Sequence, residues 1–379
     1  MKIIQRIYGA SEENECGEDS PIGGTAQLVL IFGSTARLGD EAYFLRLRKE
    51  FPRAILLGCS TAGEICGTRV LDESIVATAV EFEHTRIQLA QTDIADMTQS
   101  RRAGESLANA LAHDDLVHVL VLSDGLKVNG TELTNGLIAK LPEHVVVTGG
   151  LSGDGERFAR TLVCANSMTA EGKIAALGFY GDRLKVGFGS LGGWDPFGPE
   201  RLITRSEGNV LYELDNQSAL ELYKRYLGPH AAGLPATGLL FPLALRTGDG
   251  KQGLVRTILA VDEADQSMTF AGDIPEGSYA RLMKANFDRL IDGAIGAARS
   301  CHEKLEANSA ELAILISCVG RKLVLKQRIE EEVEGVRDVL GDGPVLAGFY
   351  SYGEISPHTP SAKCELHNQT MTITTFTEV

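Results

Sequence analysis

The stretch Gly58-Cys59-Ser60-Thr61-Ala62-Gly63-Glu64 recurs in kind as Thr148-Gly149-Gly150-Leu151-Ser152-Gly153-Asp154 and as Gly348-Phe349-Tyr350-Ser351-Tyr352-Gly353-Glu354. Each copy follows an apolar run and ends in glycine then a carboxylate. An earlier apolar run and an amphipathic stretch precede each one: Leu28 to Phe32, Val117 to Leu122 and Leu312 to Ile316. The pattern reads strand, helix, strand, glycine-acid turn. Gly63 stands 30 residues after Gly33 and Gly153 stands 30 after Ser123, whereas Gly353 follows Ser317 by 36. Such spacing marks an internal repeat and predicts three superposable units, at residues 27–83, 117–181 and 311–376. Glycine in each turn implies positive φ or a backbone that must come close to a neighbour.

With 379 residues the chain exceeds one comfortable core, and about two domains are expected. Hydrophobic residues make up 44% and charged residues 23%, the balance of an ordinary globular protein. A formal charge of −15 without a basic cluster disfavours phosphate backbones and anionic lipid, so neither nucleic acid nor membrane is an expected partner. The segment Met1 to Tyr8 lacks the apolar core of a signal peptide, and no window offers the roughly 18 apolar residues of a spanning helix. A cytoplasmic location is expected. Seven scattered cysteines without a CxxC pair predict reduced thiols rather than a disulfide framework or a structural zinc site.

The glycine- and proline-rich run Val186 to Pro199 breaks regular structure and carries the only tryptophan, Trp194, as an anchor of the inter-domain surface or a pocket wall. A domain boundary is therefore placed at residue 200, giving domains 1–200 and 201–379. The fold class expected is α/β, two domains of mixed sheets flanked by helices. Beyond the boundary a helix is predicted from Ser218 to Leu227, strands at Leu254 to Val261 and Met268 to Ala271, and a long helix from Tyr279 to His302.

No GxxxxGK[ST] or strand-placed GxGxxG is present, and Gly149-Gly150-Leu151-Ser152-Gly153 puts its serine one position late for a nucleophile elbow. Glu64, Asp154 and Glu354 are candidate acid-base groups, but no histidine stands at comparable repeat positions. Hydrogen bonding to turn amides or a ligand is the simpler role. His84, His113, His118, His144 and His230 fall in surface-like or loop contexts. The tail Pro357 to His367 differs, since it places His358, Cys364 and His367 within ten residues, a spacing that can furnish an axial ligand to haem iron or another metal site.

The turns at Gly58 to Ile65 and Gly348 to Ile355, the segment Gly192 to Gly198, the stretch Gly208 to Asp215, Gly272 to Gly277, and His367-Asn368-Gln369-Thr370 together resemble the FIST sensory module, in the right order along the whole chain. The resemblance implies an N-terminal FIST domain at 1–200 and a C-terminal one at 201–379, forming a cytosolic small-ligand sensor in signal transduction. Stand-alone bacterial members implied by it include haem-binding, nitric-oxide-sensing proteins that act on a separate histidine kinase. On that reading haem b is the cofactor, with His358 or His367 on the iron and Cys364 beside them. The alternative is a sensor of an amino acid or small metabolite without haem, in which Arg246 or Arg256 holds a carboxylate. A minor alternative is an enzyme using the glycine-acid turns. The pocket is expected where Gly63, Glu64, Gly153, Asp154, Gly353, Glu354 and Trp194 meet the domain junction.

Overall fold

The computed structural model describes residues 1–9, 22–246, 254–305, 309–357 and 363–379, and the backbone of 14–16. His358 lies outside the described residues.

Three units share one topology. In the first, strands Leu28–Gly33 and Ile55–Ser60 pair in parallel around helix Glu41–Glu50, and strand Ile75–Glu81 adds antiparallel to the first strand. Strands Leu116–Ser123, Val146–Leu151 and Lys173–Tyr180 repeat this around helix Gly130–Ile138. So do Leu312–Cys318, Val345–Ser351 and Met371–Glu378 around helix Ile329–Leu340. A close approach fixes one position of each second strand: a Cβ on Gly58, Gly149 or Gly348 would collide with the carbonyl of Ile31, Val121 or Leu315 on the neighbouring strand.

The units then exchange strands in a cycle. Glu64–Cys66, just after the first turn, pairs with Val345–Ser351 of the third unit. Gly353–Pro357, opening at the third turn's glycine, pairs with Val146–Leu151 of the second. Val163–Ala165 of the second pairs with Ile55–Ser60 of the first. Backbone hydrogen bonds close the same cycle at the carboxyl ends of the parallel strands: Gly153 N–H to Ser60 O at 2.9 Å, Tyr352 N–H to Leu151 O at 3.1 Å and Ala62 N–H to Tyr350 O at 2.8 Å. Inside the ring the three sheets bury one shared core, with Leu30, Phe32, Leu120, Leu122, Ile316 and Phe349 among its members.

Between the second and third units the chain forms an antiparallel sheet of eight strands over its own core of Ile203, Leu211, Tyr223, Met268 and Phe270. Glu200, the expected boundary, falls inside strand Asp195–Glu207 of this sheet, and the final strands from Leu312 onward return to sheets begun by the N-terminal half. The helix expected from Tyr279 begins only at Phe287, capped by the Asn286 side chain. Tyr279–Lys284 is instead a strand between Asp195–Glu207 and Leu243–Arg246, because its alternating burial of Ala280 and Leu282 serves the sheet.

Candidate functional site

The third glycine-acid turn is where the repeat core meets the eight-stranded sheet. Asn368 bridges them: its amide N–H donates to Tyr352 O at 3.2 Å, and its Oδ1 accepts from the Thr257 N–H at 3.2 Å. Gln369, held at φ +64°, donates its side-chain N–H to Leu239 O at 3.1 Å and Thr257 Oγ1 at 3.0 Å. Its main-chain carbonyl accepts from the Trp194 indole N–H at 3.0 Å. Trp194 is thus buried as the anchor of the junction, against Met283, Leu290, Val324 and Leu325.

Arg256 lies in this junction. It is 3% exposed, and among the described residues its guanidinium donates only to carbonyl oxygens: Asp273 at 3.1 Å, Leu366 at 2.9 Å and, more weakly, its own neighbour Val255 at 3.5 Å. Burial draws its proton affinity down to about 10, against the field of Asp273 and Glu365. Among the described residues no carboxylate stands within ion-pair distance of it, and the Asp273 carboxylate, whose field it feels, accepts from Asn129 at 2.7 Å. Arg246 has a different environment. It is partly exposed, forms a two-point pair with Glu200 at 2.7 and 3.0 Å, and lies over the Tyr279 ring, so its fork is already filled.

The other two turns meet around the backbone ring rather than at the junction. Gly63 has the expected positive φ, +141°, and a Cβ there would collide with the Lys322 ammonium, which donates to Ala62 O at 2.9 Å and pairs with Asp72. Gly153 and Gly353 do not have positive φ and meet the other half of the expectation, a close approach to a neighbour. Their requirement is space: a Cβ on Gly153 would lie 3.1 Å from Ala62 N, and one on Gly353 would lie 3.1 Å from a Leu366 methyl.

The three turn acids are not equivalent either. Glu64 and Glu354 are, by register, but the second unit puts Val163 at their position. Asp154 instead organises the connection inserted before Val163. Its carboxylate accepts the N–H groups of Phe158, Ala159 and Arg160, each at 2.9 Å, and the Tyr352 hydroxyl, whose ring stacks on Phe158 at 4.5 Å. Burial raises Glu64 to about 7 and Glu354 to about 8, against the pull of their hydroxyl and amide donors.

Cys364 and His367 do not fit an axial haem ligand as placed. The Cys364 thiol is buried, donates to Val147 O at 3.2 Å and is pushed well above its ordinary value by desolvation. His367 is 3% exposed, and its Nε2 meets Ser356 O at 2.8 Å, which requires the hydrogen on that nitrogen. Among the described residues no group of three His, Cys, Asp or Glu side chains could hold a metal ion. Cys59, Cys164, Cys301, Cys318 and Cys364 are free, buried thiols, and Cys66 is buried with its thiol donating to Gln5 Oε1 at 3.1 Å. His118, expected in a surface-like context, is fully buried in strand Leu116–Ser123, with Nε2 at 3.1 Å from Thr148 Oγ1 and Phe179 and Phe376 around the ring. The apolar run that contains it already signals that burial.

Residues 27–217 match the FIST N domain and residues 219–357 the FIST C domain, so the chain belongs to the FIST family, whose domains are sensory modules for small ligands in signal transduction. An uncharacterised protein of Methanocaldococcus jannaschii is 22% identical over 366 residues, covering 90% of this chain and 68% of that protein. A crystal structure of cyanuric acid hydrolase from A. caulinodans aligns over 78% of this chain and 99% of its own at 10% identity, with a TM-score of 0.19, too low to carry any inference. No helix among the described residues is long and apolar enough to cross a membrane.

Proposed function

We propose that the protein is a cytosolic sensor of a small carboxylate-bearing metabolite, an amino acid or related compound, bound at the junction with Arg256 as the carboxylate partner. One observation carries the reading: Arg256 is a buried guanidinium that meets only carbonyl oxygens, leaving its charge without a carboxylate partner among the described residues. A bidentate carboxylate is the group that best matches such a fork. Two further features support it. The site lies where the eight-stranded sheet meets the repeat core, a junction position of the kind ligand sites commonly take, and Asn368 and Gln369 tie the two together there, so occupancy would alter the junction itself.

Thermal-shift and calorimetric titrations with amino acids and with mono- and dicarboxylates test this reading. A binder is expected to raise Tm in the parent and to lose at least tenfold in affinity in Arg256→Lys, which keeps the charge and removes the fork. Equal affinity in both proteins, or no binder in the panel, overturns it.

The output is proposed to be a histidine kinase or similar regulator, since a sensory module transmits by favouring one state of its partner. Kinase autophosphorylation with and without the bound compound tests that step. The haem-dependent, nitric-oxide-sensing form rests on His358, because Cys364 and His367 are committed to backbone carbonyls. Haem titration of the parent and of His358→Ala, followed by absorption, decides it: a shared spectrum and affinity removes His358 as the ligand.

A further inference from the structure

Glu64 and Glu354 occupy one register position in two units and sit in matching cradles. Glu64 stands opposite Phe349 and Glu354 opposite Gly150, each one residue beyond the close-packed glycine of the partner strand. Both are 1% exposed or less. A hydroxyl three residues earlier touches one carboxyl oxygen, Thr61 Oγ1 on Glu64 and Ser351 Oγ on Glu354, each at 2.5 Å. The residue before the unit's last strand covers the other oxygen with its N–H and its hydroxyl: Ser74 at 3.3 and 2.7 Å, Thr370 at 3.2 and 3.1 Å.

The nearby cations are engaged elsewhere, Lys322 with Asp72 and Arg321 with Glu332. Around Glu64 the facing titratable groups are Asp72, Lys322 and the third unit's Tyr350; around Glu354 they are Cys318, Arg321 and the cross-strand His367, the Tyr352 hydroxyl being turned to Asp154. A hydroxyl donates to a carboxylate or accepts from a carboxylic acid, so Thr61 and Ser351 satisfy either protonation state without moving. In the second unit the position holds Val163, which shows that the fold takes a neutral occupant there. Burial without a counter-ion favours the neutral acid in both glutamates, in keeping with their raised proton affinities.

We propose that Glu64 and Glu354 are paired proton-binding sites, and that loss of the Glu354 proton reshapes the Asn368-Gln369-Thr370 segment and makes the junction pH-responsive. Only an O–H bond breaks, the proton passing to solvent. The anion left behind draws on the Thr370 N–H and hydroxyl, one residue from Gln369. Both glutamates bind their protons whether or not the junction holds a carboxylate, and by linkage its occupancy would only shift the Glu354 affinity.

Trp194, the only tryptophan, donates to Gln369 O and so reports the junction directly. In the full chain without added ligand, its emission is expected to change between about pH 6 and pH 9. Glu354→Gln, a fixed neutral form, is expected to abolish that change, and Glu64→Gln to retain it. Infrared spectra near pH 6 are expected to show protonated buried carboxyls, with loss of one in each single variant. Glu64→Val copies the second unit and serves where the glutamine variant fails to fold. An emission change that survives Glu354→Gln, or a carboxyl band unaltered in both variants, overturns the proposal.

Discussion

The indole N–H of Trp194 donates to the carbonyl of Gln369, 175 residues further along the chain, at 3.0 Å. The contact joins the start of the eight-stranded sheet to the last turn of the repeat core, and the ring fills the space between Met283, Leu290, Val324 and Leu325. Trp194→Ala is therefore expected to cost about 3–5 kcal/mol, the range for truncating a buried aromatic. Trp194→Phe keeps most of the apolar volume and removes the donor, and a further part of the loss, about 1 kcal/mol, belongs to the hydrogen bond. Urea unfolding of the two variants separates the contributions, and a Trp194→Ala loss under 1 kcal/mol would show that the junction does not rest on this residue.

Arg321 and Glu332 form a fully buried ion pair at 2.7 Å, with 0% exposure on each side chain. Arg321 also donates to Gly192 O and Leu290 O, while Glu332 accepts from Ser317 and Tyr350, so the pair links the Trp194 segment to the backbone ring. Removing one partner strands a buried charge. Arg321→Met and Glu332→Leu are each expected to cost about 3–5 kcal/mol, and the double variant less than their sum. A double-mutant cycle by denaturant unfolding measures this, and strict additivity would contradict the pairing.

The repeat was legible because both of its periods were strong: apolar runs for the buried parallel strands and an amphipathic stretch between them. The strand exchange was not. Val163–Ala165 and Glu64–Cys66 are three residues long, too short for any pattern, and their partners are chosen by tertiary packing. For the same reason the sequence aligned Asp154 with Glu64 and Glu354, although the inserted connection moves the true counterpart to Val163. Tyr279–Lys284 satisfied a helical period as well as a strand period, and the flanking strands decided between them. Arg246 and Arg256 were indistinguishable as arginines in a strand-rich region. Only burial separates the one that is paired with Glu200 from the one that is not.

Among the turn glycines, Gly63 should be the most sensitive. Valine there meets both an unfavourable φ of +141° and the Lys322 ammonium, for an expected loss of about 1–3 kcal/mol. Gly353→Ala should cost least, since its nearest neighbour is a Leu366 methyl that can rotate away, whereas Gly153→Ala presses on the Ala62 backbone. Thermal melting of Gly63→Val, Gly153→Ala and Gly353→Ala gives the order. A Gly353→Ala loss larger than that of Gly63→Val would reverse this account.

His118 should make the fold acid-sensitive. Burial lowers its affinity for a proton, to about 3 from an ordinary value of 6.5, because a charged ring among Phe179 and Phe376 has lost its water. Between those values the unfolded chain binds the proton and the folded chain does not, so stability falls as pH drops, by about 1.4 kcal/mol per pH unit at its steepest. Glu64 and Glu354 act in the opposite sense. Their folded-state values of about 7 and 8 lie above the ordinary 4.5, so their contribution is complete at low pH and is lost as pH rises through that window. The net curve mixes these effects, and the informative quantity is the difference between parent and His118→Leu. That difference should shrink steadily from pH 6 toward pH 4 as the parent loses stability that the variant keeps. A difference independent of pH, measured by urea unfolding in matched buffers, would mean that His118 is protonated equally in both states.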